Sequence, residues 1–455
     1  MKLILIHVVI AAYAFWESWD AAKRLRLQLI KTLVFGALGL VHGLVPAIGA
    51  PWYMRTSDPI FYHEFAACYC LCGMVALGVG WRVFNALYPV PNQELCFDYM
   101  KNEKVQRRLQ ILFVFCAVGG VLAWLGAIAA SGATLWQLLT AKRMEFRGQG
   151  DGIIGGLCVH LFCMAYVPGF VGPQMNGRYK IAGFAYAIGF AVVLFIFSRG
   201  TRAPSIGMIG SLIGGIIFSK KLSVEKLFGS AAAMFMIGML AVGLLPLRHR
   251  MSHMSYGEMV SFLFSAEAYQ DALSHDPLNY HDHFVSITAI FPNSREYVDA
   301  ASYRRILFFY LPGDSFPGLK PRDPNRIVAE ALFGAAAFRV DWMHPPGVFG
   351  DVYINFWGWY GIPFMVLQGA FLAWVTRLML IRPWFFIGIG PQAMYMSLVG
   401  IRGQPYTICV AMIASLTVTF CLLVLLGIPL SIYRKPVKKA LSDSRQKHQQ
   451  VNFAS

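Results

Sequence analysis

Charge is what this chain has least of. Only 14% of its 455 residues are charged, 57% are apolar and the mean hydropathy is +0.54. A soluble domain carries roughly a quarter charged residues, so a soluble globular protein is excluded. Acidic groups are the scarcer kind, 23 against 39 lysines and arginines, for a formal net charge of +16. Internal repeats and low-complexity tracts are absent, so a transporter built from two evident repeats gains no support. There is no Asp-x-Asp motif and no His/carboxylate cluster at metal-ligand spacing, which leaves no expected metal or other cofactor. Cys68, Cys70 and Cys72 fall in one apolar run at a spacing that puts their thiols on different helix faces. They read as small buried hydrophobes, not as a metal site.

What is abundant is apolar sequence in runs long enough to cross a bilayer, about 17–25 residues each. These lie near 2–17, 28–50, 60–82, 109–131, 152–172, 181–198, 204–219, 227–247, 352–376, 384–401 and 405–433. The first run lacks a small-residue cleavage site before Lys23–Arg26 and reads as a span, not a signal peptide. The expected fold is an all-α polytopic membrane protein with about 11 transmembrane helices. Its regions are 1–247, an N-terminal membrane part of about eight helices; 248–345, a large loop with short helices; 346–433, a C-terminal membrane part of about three helices; and 434–455, a basic tail.

Lysine and arginine in short loops mark the cytoplasmic side. Lys23/Arg24/Arg26, the segment Arg82–Arg108, Arg178/Lys180, Lys220/Lys221/Lys226, Arg377/Arg382 and the tail from Arg434 to Lys447 all fall on one side of this arrangement. That predicts a cytoplasmic C-terminus and an outward N-terminus. The positive charge therefore needs no nucleic acid, because much of it sits beside anionic lipid headgroups.

The loop from Arg248 to about Pro345 lies on the outer side and is too long for a connector. Met254–Ala272 has the spacing of an amphipathic surface helix. Residues 301–320, ASYRRILFFYLPGDSFPGLK, carry a basic pair and an apolar run too short to span before Pro312, Gly313, Pro317 and Gly318. They are expected to dip to the interface and turn back.

Three sets of residues carry candidate chemistry. Arg199 and Arg202 lie outside the sixth span, against the positive-inside tendency, with Ser205 and Gly207 following at the next helix start. Guanidinium forks suit phosphate oxygens, and snorkelling to headgroups is the plainer role. Arg304, Arg305, Lys320, Arg322 and Arg339 form an outer basic set, readable either as an anion cleft or as a salt-paired surface. The third is the stretch RVDWMHPPGVFGDVYINFWGWYGI at 339–362. Asp351 and Asn355 are four apart and share a helix face, with Tyr353 on another. Asp351 or His344 is placed to act as a general base, although a first-turn acid on a helix is also favoured by the macrodipole alone.

These parts, in this order, resemble the Wzy-type O-antigen or oligosaccharide repeat-unit polymerases of the bacterial inner membrane. The residues that carry the resemblance are SRGTRAP at 198–204, YRRILFFYLPGDSFPGLKP at 303–321 and PPGVFGDVYINFWGWYGI at 345–362. Asp351 stands where the family more usually has Glu, and Trp357 intervenes before Gly358. Two periplasmic Arg-x10-Gly pairs discussed for the family have counterparts in Arg199/Gly210 and Arg339/Gly350. With 43 glycines in the chain, such spacing is expected by chance, so only its outward location adds weight.

The resemblance implies a metal-independent glycosyltransferase of the GT-C type with one large periplasmic loop. It would transfer the growing glycan from undecaprenyl pyrophosphate to a hydroxyl of an incoming lipid-linked repeat unit. Arg199, Arg202, Arg304, Arg305, Lys320 and Arg339 would bind the pyrophosphate, Tyr353 and Asn355 the glycan, and Asp351 or His344 would activate the acceptor. A chain-length regulator is a further possible partner. An O-antigen ligase is the nearest rival, but none of the eleven histidines has a glycine at the ligase-type His-x10-Gly offset. A lipid-linked oligosaccharide flippase or other transporter would instead distribute polar residues at mid-depth over several spans.

Overall fold

A computed structural model of the chain describes residues 2–48, 59–89, 103–130, 157–158, 161–197, 203–219, 258, 261–262, 265, 280–308, 320–334, 345–399 and 405–427. Among them there is no strand. The helices are α1 (Lys2–Ala22), α2 (Leu25–Leu38), α3 (Ile60–Leu87), α4 (Glu103–Ala130), α5 (Tyr166–Val171), α6 (Arg178–Phe197) and α7 (Ala203–Ser219). They continue as α8 (Tyr280–Ile290), α9 (Ala301–Leu307), α10 (Pro324–Phe333), α11 (Gly347–Asn355), α12 (Ile362–Ile381), α13 (Pro383–Val399) and α14 (Pro405–Leu425). Five continuous helical stretches, Lys2–Ala22, Leu25–Ile48, Ile60–Leu87, Glu103–Ala130 and Gly358–Ile381, are long and apolar enough to cross a membrane. Large apolar side chains such as Leu5, Ile60, Leu122 and Leu367 stay exposed on their outer surfaces, as a lipid-facing bundle requires. The expected spans near 227–247 and the basic tail lie outside the described residues, as does nearly all of Met254–Ala272.

Small residues set how the helices meet. A side chain at Gly80 would strike the Val366 carbonyl and one at Gly369 the Leu77 carbonyl, so α3 and α12 pack backbone to backbone. Residue numbers rise together along this contact, Gly73 with Met365 and Leu77 with Gly369, so the two helices run parallel. In α1 and α2 they run opposite ways, with Gly36 on Ser18, Gly39 on Ala14 and Gly43 on Ala11. By the same reading α1 parallels α3, with Lys2 on Glu64 and Glu17 on Arg82. α4 parallels α6, with Phe113 on Tyr179 and Trp124 on Phe190.

One end of the bundle gathers arginines onto helix C-termini, whose last carbonyls lack intrahelical partners. Arg26 donates twice to the Phe218 carbonyl at the end of α7, Arg108 to Gly427 after α14, and Arg377 to Tyr88 and Pro89 after α3. The opposite end, where α1 and α3 begin, carries the short helices α8 and α11. Phe284 and Tyr353 pack on Tyr69, and Asn293 donates to the Tyr62 hydroxyl.

The apolar run expected as one helix over 352–376 is broken in the structure. α11 stops at Asn355, Trp357 takes a left-handed φ of 50° and Gly358 one of 68°, and a 3-10 turn leads into α12. Hydropathy does not register this break because Trp, Tyr and Ile flank it on both sides.

Candidate functional site

The break in the chain at Trp357 leaves α11 a short, separate helix, and α9 packs beside it. Asn355 Nδ2 donates to Asp351 Oδ1 at 3.1 Å and to the Asp351 carbonyl at 2.7 Å, one helical turn back, as their spacing predicts. Ser302 at the start of α9 completes the network. Its hydroxyl donates to Asp351 Oδ1 at 2.6 Å and accepts from Asn355 Nδ2 at 2.9 Å, while its backbone N–H donates to Asn355 Oδ1 at 3.1 Å. All three side chains are wholly buried. Two backbone bonds, Val298 N–H to the Ile354 carbonyl and Ala300 N–H to the Asn355 carbonyl, run alongside and dock the α9 start on the end of α11.

Burial is the dominant influence on the Asp351 carboxyl. It pushes the group up to about 7, against opposing hydrogen bonds from Ser302, Asn355 and Tyr303. Tyr303, which accepts from Gln368 Nε2 at 2.7 Å, is itself driven well above the phenol range by burial and by the nearby Asp351 charge. Asp351 is thus fully enclosed in this structure. In this conformation its carboxyl joins α9 to α11.

Tyr353 and Asn355, expected to contact glycan, are also used internally. The Tyr353 hydroxyl donates to the Phe291 carbonyl at 3.0 Å, and its ring lies among Phe65, Tyr69, Phe284 and Tyr297. Trp357 and Trp359 remain substantially exposed. Among the expected cations, Arg304 is exposed on α9. Arg305 donates to the Pro321 carbonyl at 2.5 Å and lies 3.5 Å from Asp323, the N-cap of α10. Lys320 sits beside this pair, lowered first by desolvation and then by the Arg305 charge. Arg322 forks onto Glu330 at 2.6 and 2.8 Å. Arg199, Arg202, Arg339 and His344 lie outside the described residues.

Reading along the chain misses two buried clusters. The first joins α1, α2 and α3: Lys31 pairs with Glu17 at 2.6 Å with both side chains buried, Arg82 pairs with the other Glu17 oxygen, and Tyr13 donates to that oxygen at 3.0 Å. The second brings His7, His42, His63, Cys70 and His281 together beneath α11. His42, Cys70 and His281 each present a ligand-capable atom, all within 4.8 Å of one another and all buried. The sequence has no such group at ligand spacing; the fold assembles it from distant positions. The signal in the sequence was histidine inside apolar runs, at positions 7, 42 and 63, with His281 far away in the outer loop.

No protein-family model, no curated protein and no solved structure matches the chain. The fold and site define an all-helical membrane protein with a hydrogen-bonded polar cluster at one end of its bundle.

Proposed function

We propose that the chain is a membrane glycosyltransferase of the Wzy type, joining lipid-pyrophosphate-linked oligosaccharide repeat units outside the bacterial inner membrane. One observation carries this reading. Tyr303, the first residue of one stretch on which the family resemblance rests (303–321), packs its ring on Phe356 of another (345–362) at 5.0 Å, beside the hydrogen bonds that the preceding Ser302 makes with Asp351 and Asn355. Chance similarity in separate stretches gives no reason for them to meet in the fold.

The topology supports the finer reading of about eleven spans with a periplasmic loop. α1, α3 and α12 run one way and α4 and α6 the other, the parity required of spans one, three and nine against four and six. Phe218 ends α7 at the arginine-rich end, whereas α8 packs at the opposite end. The expected span near 227–247, which lies outside the described residues, is the crossing that this reading assigns between them. Arginines collected at one end give that end a cytoplasmic sense, leaving α8–α11 on the periplasmic side and the C-terminus in the cytoplasm.

In the proposed reaction an acceptor hydroxyl oxygen of the incoming unit forms a bond to the anomeric carbon of the growing glycan. The bond from that carbon to undecaprenyl pyrophosphate breaks, and the pyrophosphate leaves with the electron pair. Arg304, Arg305 and Lys320, with Arg199, Arg202 and Arg339, stabilise the charge that develops on it. His344 takes the hydroxyl proton. Asp351 and Asn355 act as positioning residues that hold α9, and with it Arg304, against α11. The test is Arg304→Ala in cells: single-repeat glycan should accumulate in place of the long-chain ladder, and a normal ladder would sink the assignment.

The buried Glu17–Lys31 pair, with the half-exposed Arg82 on the second Glu17 oxygen, favours a second reading. Ionised groups within spans commonly mark transport paths, and these lie away from the end expected to hold all the polar chemistry. Proteoliposomes containing lipid-linked repeat units separate the two: a polymerase lengthens glycan, and a transporter moves the unit between leaflets without lengthening it.

A further inference from the structure

We propose that His42, Cys70 and His281 bind a divalent transition-metal ion of the zinc type, which pins the outer helix α8 to the membrane bundle. The site is separate from the proposed pyrophosphate site and does not depend on it.

The three residues come from three elements. His42 lies on a π-helical turn, Gly39–Leu44, that extends α2; Cys70 is on α3; His281 is on α8. π-Helical turns are rare and concentrate at functional sites. This one is held in place because His7 Nδ1 hydrogen-bonds the His42 carbonyl at 2.9 Å and Gly43 lies against the Ala11 backbone.

The donor atoms are chemically suited to the ion. Imidazole nitrogens with a thiolate select zinc and related borderline ions over calcium or magnesium. Cys70 Sγ stands 3.6 Å from His42 Nδ1. Two ligands at zinc bond lengths of about 2.3 Å for sulfur and about 2.0–2.1 Å for nitrogen, held at a tetrahedral angle, are separated by about that distance. The same separation also fits a sulfur hydrogen bond, so a second observation is needed. His281 provides it: its ring brings a third donor to the same place, and the ligand atoms of all three buried residues lie within 4.8 Å of one another. Three protein ligands leave a fourth position, beside the His7 ring that meets His281 edge-on at 4.5 Å.

Pinning has a structural consequence. His281 opens α8, and Phe284 and Ile287 of the same helix face Gly350 of α11. Phe349 of α11 lies edge-on to His42 at 4.9 Å. A bound ion thus ties α2 and α3 to α8, the platform on which α11 rests.

The experiment uses the full chain purified in detergent. Elemental analysis should find about one zinc per chain, falling at least about tenfold in Cys70→Ser and in His281→Gln. Cobalt exchanged into the wild type should give a sulfur-to-cobalt charge-transfer band with tetrahedral d–d absorption, and Cys70→Ser should lose the charge-transfer band. Size-exclusion profiles establish that the variants are folded. If neither variant folds, the wild-type cobalt spectrum alone decides, since a spectrum without thiolate character overturns the site. Trace zinc, or zinc retained in the folded variants, overturns it as well.

Discussion

The Ser302 hydroxyl donates to Asp351 Oδ1 at 2.6 Å across 49 residues of sequence, and Asn355 braces both partners. The relationship is mutual, because each of the three side chains is buried and each finds polar partners in the other two. Removing one leaves the others unsatisfied in a dry environment, which costs about 1–3 kcal/mol for a neutral group. Ser302→Ala should therefore lower the thermal midpoint of the detergent-purified protein clearly, whereas Arg304→Ala, on the exposed face of the same helix, should leave it nearly unchanged. Equal midpoints for the two variants would show that the network does not hold α9 to α11.

Asp351 also makes stability depend on pH in an unusual direction. Its folded carboxyl titrates near 7, above its ordinary value of 3.8. Between those values the folded protein holds a proton that the unfolded chain has lost, so stability falls as pH rises through that window. The contribution is fully present below about pH 4 and gone above about pH 7, where a buried carboxylate must be tolerated. Thermal midpoints of the wild type should decline from pH 5 to pH 7.5 relative to Asp351→Asn, which carries no titrating group there. Parallel curves for the two proteins would place the titration elsewhere.

Much of this arrangement was legible in the sequence because it rests on local rules. Apolar run length located α3, α4 and α12, and a four-residue spacing put Asp351 and Asn355 on one face. Ser302 was passed over as a small residue beside the more conspicuous Arg304 and Arg305, and nothing local announces a partner 49 residues away. The turn at Trp357 escaped notice because hydropathy counts side chains, whereas the break lies in backbone angles. The His42–Cys70–His281 cluster escaped for a third reason. Ligand spacing is a one-dimensional signal, and this cluster is assembled from three separate helical segments.

Helix packing gives a prediction about Gly80. A β-carbon there would meet the Val366 carbonyl, and Gly369 is blocked in the same way by Leu77. Neither obstacle is a flexible side-chain end, so α3 and α12 would have to separate. Gly80→Val should cost at least about 1–3 kcal/mol by overpacking, whereas Gly189→Val, with open space around its β-carbon, should cost little. Comparing the temperature at which each variant aggregates in detergent tests this, and equal losses would argue against close α3–α12 contact.

The Glu17–Lys31 pair separates an architectural role from a functional one. Both side chains are buried and their charged atoms lie 2.6 Å apart, with Arg82 on the second Glu17 oxygen. Breaking such a pair by removing one partner costs about 3–5 kcal/mol, because the remaining ion is left uncompensated, whereas replacing both ions with apolar groups of similar size is often neutral. Glu17→Leu should therefore destabilise the protein strongly, and Glu17→Leu with Lys31→Met should recover much of that loss. If the double variant is stable and still lengthens glycan, the cluster is architectural and the transport reading loses its main support. If it is stable but inactive, the two charges take part in function, and their position within the spans, away from the Asp351 network, would place that function along a path through the bundle.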